Sequence, residues 1–149
     1  MIARVTGALL MVLGAALAAL PAFGWYTAPP VGTPTHASGL SGAGQLWALP
    51  VLGALTILSG ALLVAAGPED GARTARRAGA LASVAGALAL GLSIWAAAAP
   101  DVELTVALPA GRMPVPVEVS LEAAAVATPL VAGAILLLGL AVAGAGRRG

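Results

Sequence analysis

The side chains best suited to chemistry in this 149-residue sequence are one histidine and four carboxylates. His36 stands in a stretch rich in proline and glycine, with no second histidine and no cysteine anywhere in the chain. A metal site needs several converging donors, so a solvated loop residue is the simpler reading. Asp101, Glu103, Glu118 and Glu122 lie on either side of Arg112. Such a set can hold a cation or act as an acid/base pair. The plainer role, polar strand positions that keep an edge soluble, carries more weight. No Gly-x-Ser-x-Gly occurs, and a single histidine cannot complete a convincing triad. The lack of cysteine excludes disulfides, iron–sulfur clusters and thiol chemistry. The sequence therefore points away from an enzyme, and no catalytic residue, metal or cofactor is expected.

The composition says what solvent these residues meet. The chain is 60% hydrophobic and 9% charged, with a mean hydropathy of +1.00. A soluble domain of this size carries about 25% charged residues. Apolar runs near 5–24, 46–66, 78–99 and 123–145 each reach the ~18 residues needed to cross ~30 Å of hydrocarbon as a helix. They use more than half of the chain, which leaves one membrane domain over 1–149. The expected fold is an all-α membrane protein with four transmembrane helices and a small extracytoplasmic β-hairpin cap.

In chain order, the first run follows Arg4 and reads either as a spanning helix or as a signal peptide ending at Ala22-Phe23-Gly24. Its length exceeds the ~7–15 apolar residues of a signal peptide and favours a retained helix. Trp25, Tyr26, Trp47 and Trp95 flank the spans where amphipathic rings anchor at the headgroup level. In the external loop 25–45, Pro29, Pro30 and Pro34 and the small turn formers around them forbid a helix, and the glycine-rich end, Ser38 to Gln45, is expected to hold no regular element. Pro50 sits in the first turn of the second span, where a missing N–H costs little. Gly67-Pro68-Glu69-Asp70-Gly71 stops that helix, within a cytoplasmic loop over 67–77. In the second external loop, 100–122, Val102, Leu104, Val106 and Leu108 alternate with more polar or smaller residues. After Pro109-Ala110-Gly111-Arg112, Val115, Val117, Val119 and Leu121 alternate in the same way. This is the period-two signature of a hairpin, its second strand made an edge by Pro114 and Pro116. Pro129 is expected to kink the last helix.

Arg4, Arg73, Arg76, Arg77, Arg147 and Arg148 fall on one side of this plan, and only Arg112 on the other. The positive-inside rule makes both termini cytoplasmic. Every basic residue is arginine, and lysine and asparagine are absent, as in proteins of GC-rich bacterial genomes. The lipid bilayer is the expected partner, with a second membrane protein or another copy of the chain beside it. Few arginines and no interleaved aromatics argue against nucleic acid.

Within the spans the polar residues are Thr6, Thr56, Ser59, Ser83, Ser93 and Thr128, none ionisable. An ion-coupled pump needs more than this at mid-membrane. Gly79, Ser83, Ala87 and Gly91 recur every fourth residue and suggest a small-residue strip for helix packing, either inside the domain or against a partner.

Trp25, the segment Gly39-Leu40-Ser41-Gly42-Ala43, the run Ala48-Leu49-Pro50-Val51-Leu52-Gly53-Ala54-Leu55 and Arg76-Arg77-Ala78-Gly79 resemble the actinobacterial tryptophan-associated transmembrane proteins, also called Trp biosynthesis-associated membrane proteins. The resemblance covers the helical frame and first loop, and implies a small four-helix membrane protein encoded beside tryptophan biosynthesis genes. It assigns no catalytic residue. The leading expectation is a non-enzymatic accessory or interaction protein of the bacterial plasma membrane. The alternatives are a small oligomeric permease or channel for a neutral or aromatic solute, and a sensor or envelope-assembly subunit using the cap.

Overall fold

The computed structural model describes residues 2–28, 35–66, 71–98, 103–108, 111–116 and 120–146. Four of its helices are long and apolar enough to cross a membrane. They are α1 (Ile2–Ala19), α3 (Ala48–Ala65), α4 (Gly71–Ala98) and α5 (Ala123–Ala145). The α1 helix packs closely on α3 and α4 closely on α5. The α3/α4 seam is looser and the α1/α5 seam sparser still, closing the ring.

What α4 buries is small, whereas α1, α3 and α5 also bury Leu10, Leu17, Leu49, Leu52, Leu63 and Ile135. The buried residues of α4 are Ala78, Gly79, Ala82, Ala85, Gly86, Ala89, Ser93 and Ala96. Large apolar side chains such as Val12, Val51, Leu130 and Leu137 face outward, Leu130 at 71% exposure. Lipid tails are as apolar as leucine, so helices in a bilayer gain by close backbone packing rather than by hiding bulk. The small buried face of α4 and the large exposed side chains around the bundle suit that solvent.

Close packing is set by small residues seven apart. In α1 and α3, Gly7 meets Gly60 and Gly14 meets Gly53. A Cβ on Gly7 would stand 2.7 Å from the Gly60 carbonyl oxygen, and one on Gly53 would stand 2.5 Å from that of Gly14. In α4 and α5, Gly79 faces Gly139, Gly86 lies against Ala132 and Leu136, and Gly146 lies against Ala72 and Arg76. Seven residues bring a helix back to nearly the same face, with a drift of ~20°. A step of four drifts by ~40°, so three such steps turn through ~120°.

That drift corrects the expected strip. Gly79 and Ser83 lie at the α5 contact. Ala87 and Gly91 are exposed, with open space where a Gly91 Cβ would go. The buried line follows steps of three and four through Gly79, Ala82, Gly86, Ala89, Ser93 and Ala96.

The expected loop 67–77 is also shorter. The α4 helix starts at Gly71 and has 28 residues, about 42 Å against ~30 Å of hydrocarbon. Arg73, Arg76 and Arg77, all exposed, therefore ride on its first two turns instead of preceding it. Arg147, Arg148 and residues 67–70 lie outside the described residues. The α5 helix runs on through Pro129.

Two small sheets complete the described chain. One pairs β3 (Glu103–Leu108) with β4 (Gly111–Pro116) antiparallel, from Glu103↔Pro116 to Leu108↔Gly111. The hairpin is thus present over its described residues, and Ser120 and Leu121, expected in its second strand, pair with β1 in the other sheet. Residues 109–110 and 117–119 lie outside the described residues. The other sheet has the order β2-β1-β5, with β1 at Gly24–Ala28, β2 at Thr35–Ser38 and β5 at Ser120–Leu121. Its strands lie in a loop expected only not to be helical; the expectation of no regular element over 38–45 is overturned by a short helix at Gly39–Gly42. The aromatic and β-branched run Trp25-Tyr26-Thr27 suits a strand, and a second strand lies on each side of it. A short helix, α2 (Gly39–Gly42), and a 3-10 turn over Gly44–Trp47 lead into α3.

Gly86→Ala and Gly91→Ala separate these roles. The first puts a methyl 2.6 Å from the Leu136 amide nitrogen and should cost ~1–3 kcal/mol through overpacking. The second has free space and should be neutral or stabilising by ~0.5–1 kcal/mol. Reversible unfolding in mixed detergent micelles reads both.

Candidate functional site

Pro21 follows α1 in a 3-10 turn over Leu20–Ala22, and Phe23 then turns to extended backbone and leads into β1. A register shift between Gly24 and Tyr26 marks a bulge in the β1/β2 pairing. Neighbouring strand residues ordinarily point to opposite faces, but a bulge re-aims one of them. Trp25 and Tyr26 are both fully buried as a result, with ring centroids 6.2 Å apart.

Each ring carries its polar atom to the end of a helix. The Trp25 Nε1–H donates to the Leu20 carbonyl at 2.9 Å, just past α1. The Tyr26 hydroxyl donates to the Ala96 carbonyl at 3.0 Å. Ala96 is within the last four residues of α4, whose carbonyls have no intrahelical donor. These two residues are therefore buried rather than headgroup anchors as expected; Tyr26 caps the end of α4, and Trp25 ties β1 to the turn after α1. Trp47 and Trp95 do face outward, at 62% and 59% exposure. Burial pushes the Tyr26 phenol above its ordinary value of 10.0.

Glu122 is the one expected carboxylate whose side chain is described. Asp101 and Glu118 lie outside the described residues, as do the side chains of His36 and Glu103; the backbone of His36 pairs with Thr27 in the sheet. Glu122 is not a solvent-facing strand position but the half-buried residue before α5. Its amide donates to the Trp25 carbonyl at 2.8 Å, and its carboxylate accepts from the Thr27 hydroxyl. A carboxylate is favoured at a helix N-terminus by the helix dipole. Gly24 is needed beside it, since a Cβ there would run into Glu122 Oε2. Ser120 secures the same corner by donating to the Thr27 carbonyl at 3.2 Å.

Beside this carboxylate is an open groove of about 470 Å³. Leu20, Phe23 and Gly24 form one wall, and Glu122, Ala123, Ala124 and Ala127 the other. No group of three or more His, Cys, Asp or Glu that could hold a metal occurs among the described residues. In the bundle the buried hydroxyls turn back on their own helices. Thr56 donates to Leu52, Ser59 to Leu55, Ser93 to Leu90 and Thr128 to Ala124, at 2.7–3.0 Å.

No family model matches the chain, and no curated protein or solved structure does.

The Glu122 corner was hard to see in the sequence because Thr27 and Glu122 are 95 residues apart. The strand signal of Trp25-Tyr26-Thr27 was local and available. Tyr26 is the chain's only tyrosine, so its titration can be followed directly by phenolate absorbance. The folded state holds the Tyr26 proton more tightly than the unfolded state. Its share of stability is full below pH 10 and declines as pH rises beyond that toward the folded value. Tyr26→Phe should remove this component and cost ~0.5–1.5 kcal/mol at neutral pH through the lost bond to Ala96, measured by unfolding at both pH values.

Proposed function

We propose that this chain is a multi-pass protein of the bacterial plasma membrane with both termini in the cytoplasm and the two small sheets outside. In this reading it acts as a non-enzymatic accessory subunit that packs against another membrane protein or its own copies. Its link to tryptophan biosynthesis rests on the sequence resemblance.

The single observation that carries the accessory role is the direction of the buried hydroxyls. A solute path needs polar groups turned across the bundle, whereas Thr56, Ser59, Ser93 and Thr128 each return to a carbonyl of their own helix. Around them the interior is filled by glycines and alanines at backbone-contact distance together with Leu10, Leu17, Leu49, Leu52, Leu63 and Ile135. The orientation is supported by Arg4, Arg73, Arg76 and Arg77, which occupy the helix ends away from the β2-β1-β5 sheet. Arg76 there donates to the Gly146 carbonyl at 3.5 Å, across to the end of α5. On the outer side of α4, Ala87 and Gly91 leave a smooth track between Val84, Leu88 and Trp95, where a neighbouring helix can come close.

The absence of cysteine makes single-cysteine variants clean reporters. An impermeant maleimide applied to intact cells should label Ser120→Cys and leave Ala72→Cys unlabelled; the reverse pattern would refute the orientation. Gly91→Leu should accumulate and unfold like the parent while losing a co-purifying membrane partner or self-association. Unchanged association would remove α4 as the docking face.

A further inference from the structure

The pattern Arg4-x-x-Gly7-Ala8-Leu9-x-x-Val12-x-Gly14-Ala15 in α1 recurs 72 residues later in α4. There it reads Arg76-x-x-Gly79-Ala80-Leu81-x-x-Val84-x-Gly86-Ala87. The next long helix repeats more weakly, 79 residues on. Pro50, Leu58 and Gly60 of α3 correspond to Pro129, Leu137 and Gly139 of α5, and Gly53 to Ala132. Contacts obey the same correspondence. Gly7 meets Gly60 and Gly14 meets Gly53, just as Gly79 meets Gly139 and Gly86 lies against Ala132. An antiparallel pair of strands follows the first helix of each pair, β1/β2 in one and β3/β4 in the other. The second connection is seven residues longer and includes β5.

Any two helices of like composition can be slid until their buried faces agree. Here the slide is fixed by the glycine contacts, and identical residues also fall where packing does not select them. Arg4 and Arg76, Val12 and Val84, Ala15 and Ala87, and Leu58 and Leu137 are exposed in both helices of their pair. We propose that the chain is a tandem repeat, two copies of one helix–strand–strand–helix unit facing each other about a two-fold axis along the bundle. A half-turn about this axis carries α1 onto α4 and α3 onto α5, and exchanges the α3/α4 seam with the α1/α5 seam. The surface each half offers the other is therefore of the self-complementary kind found between identical subunits. Its partner is a second copy of the unit, supplied by the same chain. This holds whichever way the bundle is oriented.

The two copies are matched in volume rather than identical. Leu10 and Leu17 of α1 correspond to Ala82 and Ala89 of α4, and all four are buried in one core cluster. In the other helix of each unit the order reverses, with buried Thr56 in α3 corresponding to buried Ile135 in α5. A large side chain in one copy thus stands where the other copy has a small one. A close-packed interior tolerates exchanges that conserve total volume far better than those that change it.

A double-mutant cycle on the full-length protein in detergent micelles tests the axis. Leu10→Ala leaves a cavity and Ala82→Leu overfills the interior, so each alone should lower the thermal unfolding midpoint. Together they exchange the two equivalent positions, and the double variant should regain at least half of the summed loss. A second variant joins Gly149 to Met1 and opens the chain between Asp70 and Gly71, placing the second unit before the first. Its new junction, 146–149 and 1, has the same length as the 66–70 junction between α3 and α4. This order-swapped chain should accumulate like the parent and unfold near the same midpoint. Losses that simply add in the double variant, single variants without effect, or an order-swapped chain that fails to accumulate would each overturn the proposal.

Discussion

Backbone-to-backbone approach between antiparallel helices is the constraint on which this structure depends. Gly7 with Gly60, Gly14 with Gly53, and Gly79 with Gly139 bring main chains to distances at which no side chain fits between them. Water exclusion offers little drive between helices in a bilayer, so dispersion over such closely apposed surfaces must supply the attraction. The abundance of alanine and glycine is then a packing requirement as well as a compositional bias. The exposed leucines and valines are the complementary half of the same arrangement, since a lipid phase would solvate them at no cost.

A second constraint acts at the cap. Helix ends leave carbonyls unpaired, and in an apolar setting each is expensive to leave so. β1 answers this at α4 by sending the phenol of Tyr26 to the Ala96 carbonyl, while the indole of Trp25 joins the Phe23 amide on the Leu20 carbonyl in the turn after α1. Its backbone meanwhile pairs with β2 and β5. One five-residue strand therefore joins three of the four long helices, α5 through the Glu122 amide. The corner where it does so also creates the groove, because Gly24 and the alanines of α5 leave space around a fixed carboxylate.

Run length and hydropathy were enough to read four helices long and apolar enough to span a membrane, and strict alternation was enough to read a hairpin after the third. Both signals are local: a helix or a strand face repeats within a few residues. The start of α4 was not visible, because three arginines look like a loop although arginine is a good helix former. The small-residue line of α4 was only half visible. Gly79 and Ser83 belong to it and Ala87 and Gly91 do not, since a four-residue repeat winds off the contact face.

The order of residues by itself determined that four helices are long and apolar enough to cross a membrane, and where its arginines fall between them. These follow from composition and short-range period, which no folding partner alters. Tertiary structure alone decided which glycines touch, that Trp25 and Tyr26 turn inward, and that Glu122 meets Thr27 across 95 residues. Those outcomes depend on helix phase and on pairing between distant segments, and neither quantity is written in any local stretch of the chain.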